Sequence, residues 1–177
     1  MKAPYRLWQL IGFALAALIG TPLRFLYEWS QKSVIVAPFC PVNSSVWEHT
    51  KLLFMPLFFL ALIESIPLQK HRPDFWCIKL KGILTALSLI PVLYYTYTGA
   101  LGIRYGFVNV AIVFVALMTA ALYENKLFKK APAPFRYLTP RSSLTALTAL
   151  FALYFLFTFL APHIPLFEDP VTKGFGI

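Results

Sequence analysis

Five stretches of this chain are long and apolar enough to cross the hydrocarbon core of a bilayer as helices, and nothing else constrains its fold as much. They cover about residues 7–26, 46–66, 82–103, 107–123 and 144–161, each near the ~20 residues that a spanning helix needs. Backbone amides in lipid find no water to bond, so such stretches satisfy themselves as helices. Composition agrees: 59% of residues are hydrophobic and 13% charged, roughly half the charged fraction of a soluble domain, and mean hydropathy is +0.68. The sequence therefore predicts an all-α, polytopic membrane bundle of five transmembrane helices, forming one integral membrane domain over residues 1–177. Lys2 and Arg6 ahead of the first stretch look like the start of a signal peptide. That stretch is long, however, and no small-x-small cleavage site follows it, so it reads as a retained span.

The formal net charge of +9 would suggest nucleic acid in a soluble protein. Here most basic residues lie in short connections between apolar spans, where orientation in the membrane accounts for them, and nucleic acid is excluded as a partner. Lys2 and Arg6 at the amino terminus fall on one side, with Lys70, Arg72, Lys79 and Lys81 of the second connection. Lys126, Lys129, Lys130, Arg136 and Arg141 of the fourth join them, while the opposite side holds Lys32, Lys51, Arg104 and Lys173. The bias predicts a multi-pass protein of the cell (cytoplasmic) membrane, amino terminus inside and carboxyl terminus outside. Cys40 and Cys77 have no zinc, haem or redox spacing and read as free thiols. A membrane-impermeant maleimide is then expected to reach Cys40 from outside, and Cys77 only after lysis.

Against this apolar background the segment Asn43-Ser44-Ser45-Val46-Trp47-Glu48-His49-Thr50-Lys51 gathers an acid, an imidazole, an amine and an indole at the mouth of the second span. Removing such groups from water costs several kcal/mol unless they are paired or wet. Ser45 and Glu48 fit a capping box. Trp47 fits the interfacial aromatic belt, as do Tyr94, Tyr95 and Tyr97. Glu48 and Lys51 are spaced to pair on a helix face, worth a few tenths of a kcal/mol at an exposed surface, and Arg24 is spaced to pair with Glu28. His49 can carry a proton or bind a metal. The predicted topology puts Asn109 and the carboxyl-terminal His163, Glu168 and Asp169 on the same outer face. The ligand-binding candidates are Asn43, Ser45, Trp47, Glu48, His49, Lys51, Tyr97, Arg104 and Asp169. For a metal, His49, Glu48 and His163 are weak candidates without a recognised ligand spacing, so the sequence specifies no cofactor.

Pro56 and Pro91 lie inside spans, where each frees a carbonyl one turn earlier, at Leu52 and Leu87. Irregular backbone at membrane depth has to be covered, which suggests a cavity between the second and third spans. Gly99 and Gly102 fit a tight turn or a close helix approach. Glu64 and Glu124, at inner span ends, read as solvated partners of nearby lysines.

Four segments carry a resemblance: Phe25-Leu26-Tyr27-Glu28-Trp29, Pro41 to Leu52 with its W-E-H-x-K-L core, Tyr94 to Gly99, and Ile164 to Thr172 with its P-L-F-x-D-P tail. On these the chain resembles an uncharacterised family of small multi-spanning bacterial membrane proteins. Ser44 stands where that family commonly has glutamate, which weakens a multi-carboxylate metal site. Phe175-Gly176 stands where Tyr-Gly is usual. The resemblance implies membrane location and no reaction.

Three classes of function remain. In the first, an outward polar site binds or transports an ion or small polar solute. In the second, a membrane-embedded enzyme uses His49 or Glu48 as acid or base on a lipid or small anion held by Lys51 or Arg104. In the third, the protein is a structural or assembly subunit without a ligand. The absence of a nucleophile or metal spacing favours binding. The bilayer is the partner the sequence implies, and oligomeric state is not encoded legibly.

Overall fold

The computed structural model describes residues 4–130 and 137–177, without the side chains of 4–10 and 13. Five helices follow in order: α1 Pro4–Trp29, α2 Val46–Leu68, α3 Phe75–Leu101, α4 Gly106–Phe128 and α5 Pro140–Phe159. No strand occurs among the described residues, only one isolated bridge between Glu168 and Phe175 in the carboxyl-terminal tail. Of the five helices, α2, α3, α4 and α5 are long and apolar enough to cross a membrane. This is the architecture of a helical membrane protein. Lys2 and Arg136, and the Arg6 side chain, which entered the charge bias, lie outside the described residues.

α1 packs on α2, α2 on α3, α3 on α4 and α4 back on α1, closing a four-helix ring against which α5 lies on α3 and α2. The two halves of the interior differ in chemistry. Between α2, α3 and α5 the core is aromatic and bulky, with Phe54, Phe58, Phe75, Ile83 and Tyr154 buried. Between α1, α2, α3 and α4 it is aliphatic, with Ala16, Ala86, Ala116 and Ala120 among branched residues such as Leu53, Ile90 and Ile112; the alanines let helices approach closely without hydrophobic drive from the lipid.

Two span boundaries depart from the sequence reading for one reason. α3 starts at Phe75 rather than near 82, and α4 runs on to Phe128 rather than ending near 123. The sequence reading ended spans where charges appeared. Lys79 and Glu124 are charged yet buried inside the bundle, where they pair with each other. Glu64, expected in solvent, is buried with them.

Gly102 ends α3 in the left-handed region (φ 66°), which glycine enters without a Cβ penalty. Gly99 stays helical, facing open space. α2 continues through Pro56, and the Leu52 carbonyl that this proline frees is covered by α1: a Cβ on Gly20 would stand 2.7 Å from that oxygen. Gly20 thus lets one backbone close over a polar group that another has lost the means to satisfy.

Candidate functional site

The polar segment at the start of α2 is divided by helical geometry into two faces with different roles. At about 100° per residue, Trp47, Glu48, Thr50 and Lys51 turn toward α5 and the tail, while His49 turns toward α1 and α4.

The first face is sealed. Lys51 Nζ lies 2.6 Å from Glu48 Oε2, 2.7 Å from Thr158 Oγ1 and 3.2 Å from the Ala37 carbonyl, so all three ammonium donors are used. Glu48 Oε2 also accepts from the Val42 amide at 3.0 Å. Lys51 is 0% and Glu48 2% exposed. The expected surface pair is therefore a buried one, held by Coulomb attraction at low dielectric and by a full set of hydrogen bonds. Half of the expected capping box forms: Ser45 Oγ accepts from the Glu48 amide. The Glu48 carboxylate goes to Val42 instead, and the Ser45 amide donates to Asn43 Oδ1.

Trp47 is not a belt residue. Its ring packs 4.5 Å from Tyr154, 4.8 Å from Phe167 and 5.6 Å from Phe157, and its amide donates to Leu166 O. Tyr154 shares a hydrogen bond with Thr50 at 2.6 Å. Asn43 Nδ2 donates to Gly176 O, and the Ile177 amide to Thr158 O. These contacts clasp the tail over the buried pair. Asp169 organises the tail itself, accepting from the Val171 amide and the Thr172 hydroxyl. Arg104 reaches only the Pro170 carbonyl, at 3.3 Å, and His163 packs on Phe175.

Cys40 lies in the loop beside the buried pair, fully buried, with its thiol donating to Val36 O. Burial pushes its pKa up to about 11, against the pull of Lys51. Cys77 is buried too. The expected maleimide pattern therefore fails as a topology test, because neither thiol offers access from its side.

On the second face, His49 Nδ1 is 2.9 Å from the Ser45 carbonyl and Nε2 is 3.0 Å from Arg24 Nη1. A carbonyl only accepts and a guanidinium only donates. The ring is therefore the neutral tautomer with its proton on Nδ1, and its Nε2 lone pair is committed to arginine rather than free for a metal. Arg24 reaches across to α2 instead of pairing with Glu28, and no ion pair to it forms among the described residues.

This Arg24–His49 bridge separates two cavities. One, of about 260 Å³, lies between α1, α2 and α4, while the cavity that borders both the second and third spans, at Val46, His49, Ile90 and Tyr94, measures only about 20 Å³. The larger one is walled by Ala16, Ala17, Gly20, Leu52, Leu53, Val113 and Leu117, and closed at its polar end by Arg24, His49 and Asn109. The small residues on the α1 side leave this space where bulky ones would fill it. Phe25, Val110 and Phe114, each half-exposed, form its rim, so it opens on the bundle surface between α1 and α4. The other cavity, of about 120 Å³, is a polar vestibule bordered by Glu28, Pro41, Asn43 and Ser44, with Arg24 and His49 as the shared wall. Tyr97 does not line either cavity; its hydroxyl donates to Asn109 Oδ1 at 2.5 Å and fixes that amide.

Of the residues nominated from sequence, His49 borders both cavities, Asn43 borders only the vestibule, and Tyr97 acts through Asn109. Ser45, Trp47, Glu48, Lys51, Arg104 and Asp169 serve the clasp or the tail. Arg24 was missing from the nominated set, and Asn109, which the sequence placed on the same outer face, was not carried into it. The cost of an arginine inside an apolar span was the available signal for Arg24. No group of three or more His, Cys, Asp and Glu side chains suited to a metal occurs among the described residues.

A family described as "Family of unknown function (DUF6512)" matches residues 1–177. The chain belongs to that family. No curated protein and no solved structure matches it.

Proposed function

We propose that this membrane protein binds an amphiphile with one anionic head group, its tail in the 260 Å³ cavity and its head in the vestibule against Arg24. The observation that carries the reading is a guanidinium without an ion-pair partner among the described residues, at the polar end of an otherwise apolar cavity. Charge held beside a low-dielectric wall attracts an anion strongly, and a guanidinium with most donors unused suits a carboxylate or phosphate. The cavity lies just under the ~300–1,000 Å³ of small-molecule sites, and its opening between α1 and α4 suits entry from the lipid. Glu28, one turn beyond Arg24 on α1 and bordering the same vestibule, argues for a single anionic centre over a polyanion.

The apolar lining moves the reading away from the ion or small polar solute that the sequence suggested. Acid–base catalysis by Glu48 is disfavoured by its commitment to Lys51 and Val42. Transport of the amphiphile would extend the same site, and the basic bias of the connections supports an outward-facing vestibule.

The test uses dodecanoate, dodecanol and dodecyltrimethylammonium at equal sub-micellar concentration with the purified protein in nanodiscs. Dodecanoate is expected to raise the unfolding temperature. Arg24→Gln removes the anion's partner and Val113→Trp fills the cavity, so either abolishes the response. Equal shifts from all three probes, or a full response in Arg24→Gln, would overturn the proposal.

A further inference from the structure

At the opposite end of the ring, Lys79 of α3 sits between Glu64 of α2 and Glu124 of α4, with its Nζ 2.5 Å and 2.8 Å from one Oε2 of each. All three side chains are less than a tenth exposed. The remaining ammonium face looks onto the Phe75 ring at 5.8 Å. Two carboxylates against one ammonium leave one negative charge unbalanced. No other charged group turns inward to cancel it among the described residues: α1 contributes Gly12 here, and the neighbouring Arg72 is bidentate to Asp74 and caps the Phe128 carbonyl.

The two glutamates are accommodated by missing side chains. A Cβ on Gly12 would lie 2.5 Å from Glu64 Oε1, and one on Gly82 would collide with Glu124. The carboxyl oxygens that do not face Lys79 thus occupy spaces that only glycine leaves. Beside them is a cavity of about 20 Å³ bordered by Gly12, Glu64, Lys79 and Glu124, room for one water molecule.

We propose that Glu64, Lys79 and Glu124 form a binding site for one exchangeable proton, carried by one or other of the two carboxyl groups. An unbalanced charge removed from water is costly, and a single proton cancels it. Association is simple: a proton from solvent binds one carboxylate oxygen, and release returns the triad to net charge −1. The site is independent of the amphiphile reading and is tested without added ligand.

The experiment is an infrared pH titration of the purified protein in nanodiscs, in H₂O and D₂O. Wild type is expected to show a protonated-carboxyl stretch at neutral pH that shifts in D₂O and bleaches in alkaline buffer. Glu64→Gln and Glu124→Gln each leave a neutral lysine–carboxylate pair, so each is expected to lose the band with its unfolding temperature little changed. Absence of the band in wild type, or its persistence in both variants, would overturn the site. So would unfolding of both single variants, since that means both carboxylates are ionised and required.

Discussion

At the start of α2 a buried lysine faces one carboxylate; at its end, another faces two. Lys51 and Glu48 cancel; Thr158 and Ala37 take the other two ammonium donors, and the Val42 amide donates to Glu48 Oε2. Lys79 is outnumbered by Glu64 and Glu124, and a small cavity adjoins the group. Burial is similar, so burial alone does not separate a clasp from a working site. What separates them is charge balance.

The sharpest way to break this contrast is to neutralise one carboxyl at each end. Glu48→Gln strands the Lys51 ammonium in the interior, a situation that costs about 3–5 kcal/mol. Glu64→Gln leaves Lys79 still paired with Glu124 and is expected to cost less than about 1 kcal/mol, since a partner for the charge remains. Unfolding in denaturant reads both, and equal losses would erase the distinction. Next in size, Gly82→Ala pushes a methyl into the space of Glu124 and is expected to cost about 1–3 kcal/mol. Gly99→Ala, facing open space, should instead be neutral or stabilise by up to about 1 kcal/mol through helix propensity.

Tyr154→Phe probes the clasp more gently. It deletes the bond to the Thr50 hydroxyl and is expected to cost about 1 kcal/mol. The smallest effect is read at Cys40. Its folded-state pKa is raised to about 11 from 9.0, so the folded chain keeps a proton that the unfolded chain gives up. The stability this contributes is intact below pH 9 and is lost as pH rises through about 11. A permeant maleimide at pH 8 should therefore modify Cys40 far more slowly than an Ile35→Cys residue at an 82% exposed position. In a variant lacking Cys40 and Cys77, that same exposed cysteine would also report the orientation the native thiols conceal.

The helices were legible because apolar length is a local property. Glu48 and Lys51 were correctly paired from their spacing, yet their burial was not, because Thr158 and Ala37 come from distant parts of the chain. The triad was read as solvated for the same reason: Glu64, Lys79 and Glu124 sit on three helices, and each alone looks like a span-end charge. Leu52 is instructive, since Pro56 announced a freed carbonyl while the glycine that covers it, Gly20, lies on another helix. The outer polar segment was found at once. Its division into a sealed face and a cavity face needed the positions of α1, α4 and α5.

Native mass spectrometry of wild type and Arg24→Gln, both extracted in mild detergent, tests the central claim most directly. The account predicts a discrete anionic amphiphile carried by wild type and lost from the equally folded variant. The same adduct on both proteins, or none on either, would contradict it.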